Sequence, residues 1–387
     1  MVGRIRTGPA FLAALAALGL VAPACSDDNG GSTDLTTSTT ATTATTVANP
    51  TNGPSTTAPA PSPLDLNADG RVVFGVATTG PADGGGWSQN IVDATKQLSA
   101  ENGFAEPLIV DKIHPDDAAT LIGGLAQQGV DVIIIGAAAL AIPLADTITQ
   151  YPDIYWYCNC GAGISQHPGL AQSTDDGAEI GFTAGYATGL LLQATGGRRA
   201  TIISCCDLGF EKQMRRSYED GLQAVDSSFR MTYVRTGTSS YDFDNTTNAR
   251  AAFRTAVDER THAVFAFLDG AHRAVTTDAN AAGVIALSAG SSTACGDGEL
   301  SYDIAVRFDG GDYLRAVLPG IIDGTFLEGQ TRTFKVGLDP QAGTIICNPT
   351  TEQQAAMDAL HARIAAGEFA EQFAELTLNA FASEAAS

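Results

Sequence analysis

Six cysteines of this chain have spacings that would allow redox or metal chemistry. Two belong to Cys158-Asn159-Cys160 and two are adjacent, Cys205-Cys206, and each group ends a predicted strand. If the chain is exported, an even number of cysteines favours up to three disulfides, whose pairing the sequence leaves open. The two groups could instead bind a soft metal ion or serve an exported thiol enzyme, although Cys-x-x-Cys is absent. The disulfide candidates are Cys158, Cys160, Cys205, Cys206, Cys295 and Cys347.

Other catalytic and nucleotide-binding patterns are missing from the sequence. Its five histidines form no HExxH or paired spacing, and no serine lies in a GxSxG turn. Neither GxGxxG nor GxxxxGK[ST] occurs, so Gly84-Gly85-Gly86 does not match a phosphate-binding loop. We therefore expect no catalytic residue, no resident metal, no cofactor and no enzymatic activity.

A ligand site is suggested by a Gly-rich stretch that leads into Trp87-Ser88-Gln89. Residues 72–77 form a short apolar run, as in a buried parallel strand, and a helical apolar spacing resumes at Ile91. In open α/β sheets, ligands bind beside the loops that leave the carboxyl ends of strands. We therefore expect Trp87 and its polar neighbours to contact a small molecule. Packing of the indole beneath the Gly-rich loop is the alternative.

Polar, charged or aromatic residues also follow other apolar strands. Asn159 and Asp269 each stand at a strand end, where a polar side chain meets a cleft or caps a helix. The guanidinium of Arg307 could bind a carbonyl, phosphate or carboxylate group, or form an ion pair between lobes. The ring of Phe210 could face the same ligand or pack in the core.

These residues require a framework of alternating strands and helices, which is typical of a bilobed α/β protein with a cleft. About 320 residues follow the first 63, too many for one ordinary core and suited to two lobes. The helix over 175–193 carries small residues that permit close packing. Further strands are predicted over 108–110, 130–135, 154–157, 200–204, 231–234, 263–267, 284–287, 304–306 and 333–336. Other helices are predicted over 91–98, 115–128, 142–149, 211–224, 246–258, 271–282, 313–322 and 351–366, the last of them closing the chain.

The first 63 residues differ in composition from the rest. Two arginines precede an apolar stretch, 11–21, that is too short to span a bilayer, as in a secretion signal over 1–24. Residues 22–24 fit a signal-peptidase site, whereas a small residue before Cys25 resembles a bacterial lipobox. Residues 25–63 are rich in Gly, Ser, Thr, Asn, Ala and Pro, as in a linker without a core. We therefore expect lipidation of Cys25 and anchoring to the outer face of the cell membrane.

Charge limits the choice of partners. The formal net charge is −22, from 43 acidic and 21 basic residues. This balance argues against nucleic acid, because binding to its phosphate backbone requires a basic surface. The expected partners are a small molecule and, through the lipid anchor, the membrane.

Six stretches of the sequence stand in a distinctive order and spacing: 76–90, 129–136, 151–156, Phe210 with 218–221, 263–270 and 321–329. Together they resemble the basic membrane protein family, the PnrA-like nucleoside-binding lipoproteins of bacterial ABC transporters. The resemblance covers essentially all of 72–369. It implies a type I periplasmic-binding-protein fold, with two doubly wound Rossmann-like lobes, a ligand cleft and a hinge. The implied N-terminal lobe is 64–168 with 303–333, and the implied C-terminal lobe is 169–302 with 334–387.

The resemblance also implies capture of a small polar or aromatic ligand, a purine nucleoside, for delivery to an ABC permease. The base would be stacked between aromatic rings, and carboxylates would hold the ribose. A sensor that presents its closed form to a membrane receptor would use the same fold and is the alternative.

Candidate ligand contacts carry over from the family residue by residue. Trp87 stands in place of a stacking Phe, and Ser88 and Gln89 in place of Asn-Gln. Asp83 is the carboxylate nearest to a position where the family has Asp, and Asn159 occupies another such position. The remaining matches are Phe210 to the second aromatic ring, Asp269 and Gly270 to a Gly-containing loop, Ser288 to an Asp position and Arg307 to a ligand-reaching Lys.

Overall fold

Strands and helices alternate through the part of the chain that the computed structural model describes, residues 62–161, 167–237 and 241–382. The strands are β1 (Phe74–Ala77), β2 (Leu108–Val110), β3 (Val132–Ile135), β4 (Tyr155–Asn159), β5 (Ala171–Asp175), β6 (Arg199–Ser204), β7 (Arg230–Arg235), β8 (Ala263–Ala266), β9 (Ile285–Leu287), β10 (Ile304–Phe308), β11 (Thr331–Phe334) and β12 (Ala342–Ile346). The helices are α1 (Trp87–Glu101), α2 (Ala118–Ala126), α3 (Ala138–Ala141), α4 (Ala145–Gln150), α5 (Gly177–Thr195), α6 (Gly209–Val225), α7 (Thr246–Asp258), α8 (His272–Ala282), α9 (Gly310–Ile322), α10 (Thr351–Ala365) and α11 (Ala370–Ala382). None of these helices is long and apolar enough to cross a bilayer.

The strands form two six-stranded sheets. The N-terminal sheet has the order β11-β5-β4-β3-β1-β2, and the C-terminal sheet has the order β12-β10-β9-β8-β6-β7. Neighbouring strands are parallel except β12, which runs antiparallel to β10. Within each sheet, the carboxyl ends of the parallel strands therefore meet at one edge. This architecture confirms the predicted fold class.

The central strands are apolar because helices cover both faces of each sheet. Every residue of β1 and β3 is buried, and Phe74 stands opposite Val132 in the parallel register. In the C-terminal sheet β8 is likewise buried throughout. One hydrophobic core connects the sheets, with Val76 from β1 and Phe265 from β8 among its members. Both sheets accordingly belong to one compact unit, Pro59–Ser387.

The chain passes between the sheets three times. β5 still pairs in the N-terminal sheet and β10 in the C-terminal sheet, so the passages follow Asp175, Phe308 and Phe334. Limits of 168/169 and 302/303 were expected for the first two passages. The difference arises because β5 was not recognised and β10 was assigned to the other lobe. We propose lobe limits that follow the sheets.

Close packing of α5 against α6 depends on small residues, as the sequence predicted. A Cβ atom at Gly185 would overlap the carbonyl oxygen of Tyr218, and one at Gly221 would overlap that of Phe182. The two helices can therefore touch along their backbones. The hydroxyl of Tyr218 donates a 2.9 Å hydrogen bond to Thr188 across the same contact.

Four elements were missed in the sequence and one was misplaced. The short helix α3 precedes a helix that was expected to begin at Ile142. β5 reads Ala-Gln-Ser-Thr-Asp, which lacks the apolar run of a central strand, and β12 contains Gly343 at φ 104°. α11 follows α10, which was wrongly expected to close the chain. α1 begins at Trp87 rather than near Ile91.

Candidate ligand-binding site

A cavity of about 250 Å³ is lined by loops from both sheets. On the N-terminal side its walls follow strand ends: Thr79 after β1, 136–139 after β3, Cys160 after β4, and Asp175 at the end of β5. On the C-terminal side they include Leu208 after β6, Phe243 after β7, Leu268 after β8 and Phe308 at the end of β10. All these positions lie at the carboxyl ends of strands, where ligands bind in open α/β sheets.

Five of the aromatic rings that line the cavity form a series in which each ring contacts the next. The centroids of Trp87 and Phe308 are 6.2 Å apart, and those of Phe308 and Phe267 are 5.7 Å apart. Phe210 continues the series at 5.9 Å from Phe267, and Phe243 stacks on Phe210 at 6.1 Å. These separations are typical of favourable aromatic pairs. The rings thus form a continuous apolar wall that begins on α1 and ends in the C-terminal sheet.

The indole of Trp87 is held in place by its polar edge. Its Nε1 donates a 2.6 Å hydrogen bond to the carbonyl oxygen of Gly136, the residue after β3. The edge of Tyr313 meets the indole at a centroid distance of 6.2 Å. The indole is therefore fixed on two sides and presents apolar surface to the cavity, which favours a ligand platform over simple packing beneath the Gly-rich loop.

The first turn of α1 is capped by a residue of the other sheet. Gly86, at the N-cap position, has no side chain to satisfy the free backbone N–H groups, and Asp269 lies where its Cβ would be. One carboxylate oxygen of Asp269 accepts a 3.4 Å hydrogen bond from the backbone N–H of Ser88. The other carboxylate oxygen accepts a 2.7 Å hydrogen bond from the hydroxyl of Ser88. Because this cap is distant in sequence, local residues could not place the start of α1 at Trp87.

Asp269 lies close to a second carboxylate, Asp244. Asp244 accepts a 2.7 Å hydrogen bond from the backbone N–H of Gly270. Burial, and secondly the charge of Asp244, raises the pKa of Asp269 to about 7. Burial likewise raises the pKa of Asp244. The cavity wall beside Trp87 therefore carries, at Asp269, a carboxyl group whose pKa is raised to about 7.

Asp175 brings a further carboxylate to the opposite sheet. Burial, and secondly the charge of Asp176, raises its pKa to about 7, while the hydroxyl of Tyr313 donates a 3.4 Å hydrogen bond to it. Lys335 pairs instead with the neighbouring residue Asp176, at 2.7 Å, and with Glu179, at 3.2 Å. Asp175 is thus an acidic acceptor on the cavity wall without a basic partner among the described residues.

Three of the ten predicted ligand residues line the cavity: Trp87, Phe210 and Asp269. Ser88 and Gly270 lie directly behind Asp269 and Asp244, with which they form hydrogen bonds. These five residues are therefore brought together by the structure, although two of them support the site rather than face it.

The other five predicted residues lie away from the cavity wall. Asp83 is exposed, and the side chain of Gln89 accepts a 2.7 Å hydrogen bond from the backbone N–H of Gly85 in the preceding loop. The buried side-chain amide of Asn159 donates a 2.5 Å hydrogen bond to the carbonyl oxygen of Gly310. The hydroxyl of Ser288, also buried, accepts a 3.1 Å hydrogen bond from the backbone N–H of Val306 within the same sheet. Arg307 lies on β10, and its Nε has no hydrogen-bond partner among the described residues.

Sequence reasoning missed several lining residues. Phe308 and Phe267 extend strands that were recognised, and their position at strand ends was the signal that could have indicated them. Asp175 and Gln213 offered no such signal, because β5 was not recognised and Gln213 lies inside a helix.

Two disulfides near the site each join cysteines that are one or two residues apart in the sequence. Cys158 is joined to Cys160, which lines the cavity, and Cys205 is joined to Cys206. A third disulfide joins Cys295 to Cys347.

Among the described residues, one cluster of side chains has the spacing of metal ligands. It consists of Cys205, Cys206 and Glu211. The two sulfur atoms are bonded to each other. Glu211 accepts hydrogen bonds from the backbone N–H groups of Cys205, Cys206 and Leu208. These contacts favour a structural role over the soft-metal alternative.

Comparison with solved structures supports the fold. The chain is similar to an ABC-transporter solute-binding protein from Conexibacter woesei DSM 14684, with 20% identity, a TM-score of 0.58, and coverage of 77% of this chain and 97% of that one. For a solute-binding protein of an ABC transporter system from Aeropyrum pernix K1, the identity is 12%, the TM-score 0.60 and the coverage 81% and 92%. The chain is also similar to a transcriptional activator of the comK gene from Bacillus halodurans, with 15% identity, a TM-score of 0.59, and coverage of 76% of this chain and 98% of that one.

These similarities show the periplasmic-binding-protein type I fold that was expected. No protein-family model matches the sequence, and no curated protein matches it. The basic membrane protein family accordingly stays a resemblance.

Proposed function

We propose that this protein is the extracytoplasmic solute-binding component of an ABC importer, which captures a small ligand and delivers it to a permease. The observation that carries the proposal is the aromatic cavity, which lies at the strand ends of two sheets joined by three chain passages. Lipidation of Cys25 would keep the protein at the membrane. Cys25 lies outside the residues that the structure describes.

The mechanism that we propose is hinge closure around the ligand. The wall contains residues from both sheets, so a ligand that touches Trp87 and Phe210 together binds the closed arrangement better than an open one. Ligand binding shifts such an equilibrium only by this difference in affinity. The hydrogen bonds from Ser88 to Asp269 join the same loops and would have to break on opening.

A purine nucleoside is the specific ligand that the family resemblance suggests. The row of rings offers a surface on which a base could stack, and base stacking contributes about 1–3 kcal/mol in other proteins. Asp269 and Asp175 could accept hydrogen bonds from ribose hydroxyl groups, although the family positions at Asp83, Asn159 and Ser288 do not face the cavity. A sensor that presents its closed form to a membrane receptor would use the same site.

A thermal-shift panel tests the proposal. The purified protein is incubated with nucleosides, bases, sugars, amino acids and amines, and the unfolding temperature is recorded. A ligand present at a hundred times its Kd should stabilise the protein by about 2.7 kcal/mol. Stabilisation by one ligand class, lost in Trp87→Ala, is the expected result. The proposal is wrong if no compound shifts the parent, or if the shift is unchanged in Trp87→Ala.

A further inference from the structure

We propose that the ligand of this cavity carries a positive charge, as an ammonium or amidinium group attached to an apolar or flat part. The inference rests on the proposed function, because it specifies the ligand class of the same site. It follows from three features of the wall: its carboxylates and one amide oxygen accept hydrogen bonds, the described lining residues include no basic side chain, and much of the apolar lining is aromatic.

The polar side chains with a fixed role on the wall are acceptors. Asp175 comes from the N-terminal sheet and Asp269 from the C-terminal sheet, so the acidic groups are contributed by both sides of the cavity. Asp269 receives hydrogen bonds from Ser88, whereas the side chain of Asp175 receives, from the described residues, the long one from Tyr313. A ligand that donates hydrogen bonds would complete the partners of Asp175.

Gln213 supplies a third acceptor, and its orientation can be assigned. The residue is 2% exposed and lines the cavity. Its Nε2 lies 2.8 Å from the hydroxyl oxygen of Thr377 on α11, and that hydroxyl donates its own proton to the carbonyl oxygen of Phe373 at 2.7 Å. The Thr377 oxygen must therefore accept, which fixes the amide nitrogen of Gln213 towards α11.

The remaining atom of that amide, Oε1, has no hydrogen-bond partner among the described residues. A buried acceptor without a partner is costly, because it has lost its hydration without compensation. A ligand N–H group would satisfy it. The unused acceptor thus belongs to a residue of the cavity wall, lies beside Gly177 of the same wall, and is on the same helix, α6, as Phe210.

No lysine, arginine or histidine is found among the described residues that line the cavity. The two internal segments outside the description, 162–166 and 238–240, contain none of these residues either. Basic groups near the acidic ones are engaged elsewhere. Arg273 pairs with Asp297 and Glu299, and Lys335 pairs with Asp176 and Glu179. An anionic ligand would therefore enter an acidic, partly desolvated site without a counter-charge, which is strongly unfavourable.

The aromatic part of the wall suits the same ligand. A cation near the face of an aromatic ring is attracted by the negative charge density of that face, and Trp is the most effective ring. Trp87, Phe308, Phe267 and Phe210 line the same cavity as Asp175 and Asp269. Aromatic rings and carboxylates together are the usual surroundings of an organic ammonium ion.

Matched cationic and neutral compounds test the inference by titration calorimetry at pH 7.5. We would compare phenethylammonium with phenethyl alcohol, and choline with its carbon isostere, in which a tert-butyl group replaces trimethylammonium. Adenosine and inosine are included as neutral flat ligands. We expect at least one cation to bind roughly tenfold or more tighter than its neutral partner. That ratio should fall towards one in Asp175→Asn.

The control variant is Asp258→Asn, an exposed change at the end of α7 that alters the net charge equally. It should keep the cation preference of the parent. If Asp175→Asn does not fold, the comparison of matched compounds on the parent protein decides alone. Neutral partners or nucleosides that bind as tightly as the cations overturn the charge inference and leave the proposed function standing. Failure of every compound in both sets to bind overturns both.

Discussion

The hydroxyl of Ser88 donates a 2.7 Å hydrogen bond to Asp269, and this bond joins the first turn of α1 to the loop after β8. Ser88 belongs to the side of the N-terminal sheet, and Asp269 to the C-terminal sheet. The carboxylate also takes the place of the missing cap at Gly86. One acidic residue therefore starts a helix, lines the cavity and connects the two sheets.

Removal of the Ser88 hydroxyl should lower the free energy of unfolding. Ser88→Ala leaves the partly buried carboxylate of Asp269 with one donor fewer, which costs about 1–3 kcal/mol. Urea unfolding at neutral pH measures the difference. Ser99→Ala is the matched control, because Ser99 is buried on the same helix and its hydroxyl has no partner among the described residues. An equal loss in both variants would contradict a specific role for the bond.

Trp87→Ala should weaken ligand binding by about tenfold or more, since an aromatic platform contributes about 1–3 kcal/mol. Trp87→Phe should retain most of the affinity because a ring remains. Trp156→Phe is the comparison at a tryptophan that lies 1% exposed in the core, away from the cavity wall. It should reduce stability and leave the affinity unchanged. Calorimetric affinities of Trp87→Ala and parent within twofold of each other would exclude the stacking role.

Stability should depend on pH through Asp175. Its pKa is raised from 3.8 to about 7 in the folded chain, so the folded state retains a proton that the unfolded state loses between these values. The contribution of Asp175 to the free energy of unfolding therefore falls as pH rises from about 4 to 7 and is constant above. His272, whose pKa is lowered to about 4 by burial, acts in the opposite direction below pH 6.5.

The variant Asp175→Asn isolates the carboxylate from His272. Relative to the parent, it should be more stable at pH 8 than at pH 5, because asparagine has no charge to bury. Urea midpoints at several pH values measure the difference. A stability difference between variant and parent that does not change with pH would show that Asp175 titrates normally. Asp176 and Tyr313, which influence its pKa, are unchanged in this comparison.

Gly185→Ala should destabilise the fold strongly, because the added methyl group would overlap the backbone of Tyr218 on α6. Overpacking of this kind costs about 1–3 kcal/mol or more. Gly124→Ala, also within a helix, has open space around the new methyl group and should stabilise by up to about 1 kcal/mol. Thermal unfolding of the two variants provides the comparison, and similar midpoints would refute the packing argument.

The sequence predicted the α/β alternation because buried parallel strands such as Val132–Ile135 are continuous apolar runs. It also indicated Trp87, Phe210 and Asp269, which stand at strand or helix ends. It could not indicate β5, whose polar residues pair with neighbours on both sides, or Gln213, whose role depends on a helix distant in sequence. Asp83 and Ser288 were selected by position in a family pattern, and Asn159 and Arg307 also because each stands at a strand end. Asp83 lies at the surface, and Asn159 and Ser288 are buried away from the cavity wall.

The disulfide between Cys295 and Cys347, which are 52 positions apart in the sequence, closes a covalent ring. β10, α9, β11 and β12 all lie within this ring, and α9 packs on α1 beside the other sheet. The segment that contributes β11 to the N-terminal sheet thus lies between two cysteines that are bonded to each other. Two copies of the protein could exchange α9 and β11 by domain swapping only if the disulfide broke first or the two covalent rings became interlocked. Oxidation therefore protects the two-sheet architecture against one common route to intertwined dimers.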